Sequence, residues 1–90
     1  MLTPAQCRAA RGLIDWSQSD LAQHAGVGIV TIRQLEADVH APRRATLDVV
    51  RRALEAAGVE FIDENGGGAG VRLKRDVRKR SRQRGNPLRG

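Results

Sequence analysis

The sequence predicts a mainly α fold: four helices, then a β-hairpin, then a basic tail that is expected to be disordered. Three observations carry this. Apolar residues recur at three- and four-residue spacing through residues 2–57, the period of helices that each bury one face. Residues 59–62 and 70–73 read instead as strands, joined by the glycine-rich run DENGGGA at 63–69. From residue 74 the chain runs KRDVRKRSRQRGNPLRG, with too little apolar content to offset the entropy of ordering. The expected divisions are therefore a helical domain at 1–58, a hairpin at 59–73 and a tail at 74–90.

The first helix is expected over residues 2–14. Thr3 is a good N-cap, Pro4 suits the first helical position, and Gln6 completes a capping box. Leu2 and Cys7 are placed for a hydrophobic staple across that cap. Cys7, Ala10 and Ile14 share one face, with Leu13 beside them, while Gly12 weakens the last turn. Cys7 has no resolving cysteine, so a buried packing role is preferred over a redox sensor.

Residues 18–36, QSDLAQHAGVGIVTIRQLE, are the centre of the chain. Ser17 caps the second helix and Asp20 closes its capping box. Trp16, just before the cap, is read as a staple onto Leu21 rather than a ligand platform. Leu21, Ala22 and Ala25 form the inner face. Gly26 is expected at positive φ, and small Ala22 lets the next helix cross at close range. Gly28 then caps a third helix running to Ala37, with Ile32 and Leu35 inward. This is a helix-turn-helix pattern. Ile29, Val30, Arg33 and Gln34 are expected on or near its outer face. There the two apolar side chains suit thymine methyls, Arg33 suits guanine edges or phosphate, and Gln34 suits adenine. The competing reading packs Val30 inward and leaves Arg33 in water.

Residues 38–42 form a loop. Arg43 and Arg44 follow Pro42 where a fourth helix begins, a position from which they can grip phosphate. That helix is strongest over 46–57, with a core stripe of Leu47, Val50, Leu54 and Ala57. Asp48/Arg52 and Arg51/Glu55 are spaced for surface ion pairs, and Gly58 is the stop. An isolated hairpin is marginal in water, so residues 59–73 are expected to pack on the helices, to pair across a dimer axis, or both. The glycine run lacks the Lys-Ser/Thr ending and following helix of a phosphate loop.

Ninety residues allow one small domain. The net charge of +6 is unevenly placed. Residues 1–71 hold seven arginines against nine acids, a balance of −2, whereas residues 72–90 hold nine Lys or Arg against Asp76, a balance of +8. Such asymmetry points to a polyanionic partner, or more blandly to a solubilising tail. Two aromatic residues, Trp16 and Phe61, are too few for a stacking platform on single-stranded nucleic acid. One cysteine, with His24 and His40 out of ligand spacing, gives no disulfide framework, no metal site and no cofactor expectation. No long apolar run marks a signal peptide or membrane span, so a cytoplasmic location is expected.

Residues 3–57 resemble the phage-repressor (Xre/Cro-type) helix-turn-helix regulators. The resemblance is carried by W-S-Q-x-D-L-A at 16–22, A-G-V at 25–27, T-I-x-x-L-E at 31–36 and P-x-x-x-T-L at 42–47. It implies a four-helix phage-repressor-like domain. It also implies that Gln18 contacts phosphate and braces the recognition helix, that Ile29, Val30 and Gln34 occupy base-reading positions beside Arg33, and that Arg43 and Arg44 contact the backbone. Gly28 and Thr31 complete the DNA-facing set. Arg11 and Glu36 match a structural ion pair between helices one and three. Gly28 stands where many members carry Ser or Thr, and Ile29 and Val30 replace residues that are often polar. Specificity is then expected to lean on Arg33, Gln34, methyl contacts and DNA shape.

The leading expectation is a dimeric, sequence-specific transcription regulator on double-stranded DNA, reading half-sites about 34 Å apart. A second is an antitoxin or anti-activator whose main partner is a protein bound through the hairpin or tail. A third is an RNA- or ribosome-associated basic protein. An enzyme is not expected: the sequence shows no nucleophile–base pair, clustered carboxylates or metal set.

Overall fold

The computed structural model describes residues 2–39, 42–63 and 66–74. Four helices, α1 (Pro4–Ile14), α2 (Gln18–Ala25), α3 (Ile29–Ala37) and α4 (Arg44–Ala56), precede two strands, β1 (Val59–Ile62) and β2 (Gly70–Leu73). Most of the basic tail, residues 75–90, and His40 lie outside the described residues, so the expectations placed on them do too. α1 starts two residues later than expected because Leu2 precedes the Thr3 cap, whereas α4 starts at Arg44, where its beginning is expected after Pro42, and ends at Ala56.

Local chemistry sets the helix ends. Both capping boxes form: Thr3 with Gln6 opens α1, and Ser17 with Asp20 opens α2. The first three helices end alike. A left-handed residue follows each, namely Asp15 (φ 59°), Gly26 (φ 72°) and Asp38 (φ 59°). The next N–H then reaches back five residues, from Trp16 to Arg11, Val27 to Ala22 and Val39 to Gln34. This Schellman geometry satisfies terminal carbonyls and turns the chain sharply. Gly58, at φ 108°, redirects the chain from α4 into β1.

The core is one cluster that draws on every helix. Leu21, Ile32, Leu35, Val50, Leu54 and Val59 are almost wholly buried, with Leu2, Cys7, Ala10 and Ala22 filling the gaps between helices. Each fully buried branched side chain contributes about 1.5–3 kcal/mol relative to exposure. Ala22 lies on the inner side of α2, in line with its expected role at the α2–α3 crossing. The Trp16 ring also leans on the core, but its stacking partner is the His24 imidazole, with centroids 4.1 Å apart and planes 20° apart. The His24 Nδ1–H donates to the Asp20 carbonyl at 2.8 Å, which fixes the imidazole over the indole.

The strands pair antiparallel, Val59 opposite Leu73 and Phe61 opposite Val71, with Glu60–Arg72 and Ile62–Gly70 on the other face. The first face lies on the helices, β2 against α1 and β1 against α4, which keeps a two-stranded sheet from standing alone. Three contacts fasten it. Lys74 N–H donates to the Gly58 carbonyl at 2.8 Å. The Arg51 guanidinium sits 5.0 Å above the Phe61 ring while pairing with Glu55 at 3.1 Å. The Gln6 amide donates to the carbonyls of Gly70 at 3.0 Å and Ile62 at 3.4 Å, closing the last rung. The Asp48–Arg52 pair expected from spacing is absent among the described ion pairs.

Candidate nucleic-acid interface

α3 has two distinct sides. Ile32, Leu35 and Glu36 face the domain and are buried. Val30, Arg33, Gln34 and Ala37 face out. These four positions are three, four and seven residues apart, so they form one stripe. Val30 is 56% exposed, high for an apolar side chain, and this settles against its inward reading. Thr31 flanks the stripe and is half-buried. Ile29 corrects the sequence expectation. It is half-buried and packs on the core, because it lies three and seven residues before Ile32 and Glu36 and so shares their side.

What fixes α3 against the body is the Glu36 carboxylate. Arg11 reaches it in a fork, Nε to Oε2 and Nη2 to Oε1, both at 2.7 Å. Gln18 donates to Oε1 at 3.0 Å, and the Cys7 thiol donates to Oε2 at 3.2 Å. Arg8 donates to the Glu36 backbone carbonyl, and Arg11 also reaches the Trp16 carbonyl at 3.0 Å. One buried carboxylate thus ties the last turn of α3 to both α1 and α2. Burial pushes the Glu36 carboxyl up, but hydrogen bonds from Arg11, Gln18 and Cys7 outweigh it and hold the group below the usual glutamate range. The Cys7 thiol moves the other way. Burial and then its bond to Glu36 raise it far above the ordinary thiol range, so it stays a neutral donor.

The predicted residues fall into two groups. Gln18, half-buried, has the bracing position expected of it. The Arg11–Glu36 pair forms as expected. Exposed Arg43 holds the N-cap position of α4, and exposed Arg44 is its first residue. Gly28 caps α3. Neither the Gly28 nor the Arg43 cap makes a side-chain hydrogen bond, in contrast to α1 and α2. The contributions of Arg8 and Cys7 to the Glu36 cluster went unforeseen. The signal was present: Cys7 and Arg8 lie four and three residues before Arg11, one turn away on the same helix.

Among the described residues, no group of three or more His, Cys, Asp or Glu is arranged to hold a metal ion. No helix among them is long and apolar enough to cross a membrane. A family model described as helix-turn-helix matches residues 8–62. The comparison with curated proteins found no match.

Proposed function

The chain belongs to the Xre/Cro-type helix-turn-helix regulators, a DNA-binding family, and from that membership we propose that it binds a pseudo-palindromic DNA operator as a homodimer, with α3 in the major groove. The observation that carries this reading is the two-sided build of α3. Its back is held by the Glu36 cluster and its front offers Val30, Arg33 and Gln34. Reading base edges needs side chains of mixed chemistry on a helix that cannot roll, and this arrangement supplies both.

Roles follow from position. Arg33 and Gln34 address guanine and adenine edges, and Val30 addresses methyl groups. Gln18 at the α2 start, Gly28 and Thr31 at the α3 start, and Arg43 and Arg44 at the α4 start contact phosphate and set the register. Ile29 braces the reading helix from behind. The Arg and Lys residues of 72–90 add counterion release, each neutralised phosphate steepening the salt dependence by about 0.9 in log–log slope. The hairpin, residues 59–73, is the dimerisation element, because its outward backbone groups offer a strand edge to a second copy. The setting that fits is the bacterial cytoplasm, at the nucleoid.

Selecting bound duplexes from a random pool tests this. The expected product is a consensus with two-fold symmetry and half-site centres about 34 Å apart. A pool that stays random after repeated rounds overturns it. A second reading, an antitoxin or anti-activator that docks a protein on the hairpin, is favoured by the same strand edge and by Ile62, which is 38% exposed on the outer face. A stoichiometric co-purifying protein lost on deletion of residues 59–73 favours that reading.

A further inference from the structure

We infer that Gln6 is a positioning residue that fixes the half-site spacing the dimer accepts, because it ties the hairpin to α1, the same helix that grips α3. This rests on the homodimer and hairpin interface proposed above, and adds to them the residue that governs spacing.

The hairpin is held at both ends. At its base, β1 follows α4 through Gly58, whose carbonyl accepts the Lys74 N–H at 2.8 Å. At its far end, beside the 63–69 turn, the Gln6 amide donates to Gly70 at 3.0 Å and to Ile62 at 3.4 Å. Among the described residues, Gln6 is the helix side chain that hydrogen-bonds to the strands. Between the two ends the strands rest on apolar packing of Val59, Phe61 and Val71, with Arg51 over the Phe61 ring. Burial resists separation more than pivoting, because it carries no direction, whereas a hydrogen bond does. Gln6 therefore stops the hairpin from turning about Gly58.

α1 also holds the reading helix. Cys7, Arg8 and Arg11, which follow Gln6 by one, two and five residues, donate to Glu36 in the last turn of α3. The path from hairpin to α3 is thus about 7.5 Å of a single helix, clamped at both ends. In a two-fold dimer joined through its hairpins, a pivot of the hairpin on its own body changes the separation of the two α3 helices, and a palindromic operator demands one separation.

The test titrates wild type, Gln6→Met, Gln6→Asn and Thr3→Ala on the duplex recovered from the random pool, and on copies with one base pair inserted or removed at its centre. Wild type is expected to bind the altered copies about tenfold more weakly, on the order of one lost base contact. Gln6→Met removes the donor at similar volume, and Gln6→Asn keeps the amide but shortens its reach. Both should narrow the gap to about threefold or less, below the cost of one base contact, while still preferring an isolated half-site to random DNA. Thr3→Ala weakens the same helix cap without touching the clamp, so it should keep the wild-type gap; a general loss of stability would narrow both. An unchanged gap in the Gln6 variants, or an equally narrowed gap in Thr3→Ala, overturns the proposal and leaves the dimer reading standing. A wild-type protein that sediments as a monomer, or that binds every spacing alike, overturns both.

Discussion

Gln6 on α1 and Gly70 on β2, sixty-four residues apart, are joined by a 3.0 Å hydrogen bond from the side-chain amide to the backbone carbonyl. The same amide donates to Ile62, while its oxygen accepts the Thr3 N–H at 3.0 Å. One side chain, 4% exposed, therefore completes a helix cap and closes a sheet. Gln6→Glu separates these roles. The carboxylate still accepts from Thr3, but it offers no proton to either carbonyl and brings a buried charge against two acceptors. The expected loss is about 1–3 kcal/mol in urea unfolding. Thr3→Ala removes only the cap and should cost about 1 kcal/mol, leaving hydrogen exchange in the strands nearer to wild type.

Glu36 is the corresponding point for α3. Glu36→Gln leaves Arg11 partly buried without its counter-charge, and the expected cost is about 3 kcal/mol, toward the low end for broken buried pairs because Arg11 retains 20% exposure. The pH dependence follows from the lowered carboxyl. Above the ordinary glutamate range the stabilisation is fully present. As pH falls through that range the unfolded chain takes up a proton that the folded state resists, and stability drops until the folded carboxyl also protonates. Asp20, bonded by Ser17, and Glu60, bonded by Arg72, are also held low, but both are exposed and screened. Glu36→Gln should therefore flatten the acid limb of a plot of urea midpoint against pH. An unchanged slope assigns that limb to other carboxylates.

Much of this was legible before any coordinates because it is local. Caps, the Gly26 turn, the stripe on α4 and the strand bounds depend on residues within one or two turns of each other. The Arg11–Glu36 pair is not local and was reached through resemblance. The second role of Gln6 was hidden for a physical reason. Its capping partner lies three residues away, whereas the carbonyls it clamps are set by how the hairpin docks, which no period encodes. Ile29, which the resemblance puts among the base readers, is turned toward the core by the angle it shares with Ile32 and Glu36. The Trp16–His24 stack was missed because the staple rule directs attention to Leu21.

The three Schellman ends make a stability prediction that contacts alone would not. At Gly26 a Cβ would meet nothing within 4 Å, yet φ is 72°, so Gly26→Ala should cost about 1–2 kcal/mol through backbone strain. Asp38 takes the same conformation with a side chain and places a negative charge at the negative end of the α3 dipole. Asp38→Gly should therefore raise stability by about 0.5–1 kcal/mol, and Asp38→Asn by less, since it removes the charge but keeps the strain. Differential scanning calorimetry on the three variants checks the order. A destabilising Asp38→Gly means that the carboxylate makes a compensating contact.

Base reading and phosphate gripping predict opposite signatures for two exposed residues. Gln34 lies in the middle of the outward stripe, where a bidentate contact to adenine is worth about 1–3 kcal/mol of discrimination. Gln34→Ala should lose about that much on the selected duplex and little on random DNA, so sequence preference relaxes while the salt slope holds. Arg44 opens α4 and is not part of that stripe, and the contact proposed for it is to phosphate charge. Arg44→Ala should weaken binding to both duplexes alike and reduce the slope of log K against log salt by about 0.9. Titrations at two or more salt concentrations on both duplexes separate these cases. Equal losses for Gln34→Ala on selected and random DNA would remove it as a reader, and a sequence-dependent loss for Arg44→Ala would move that arginine from the backbone to a base edge.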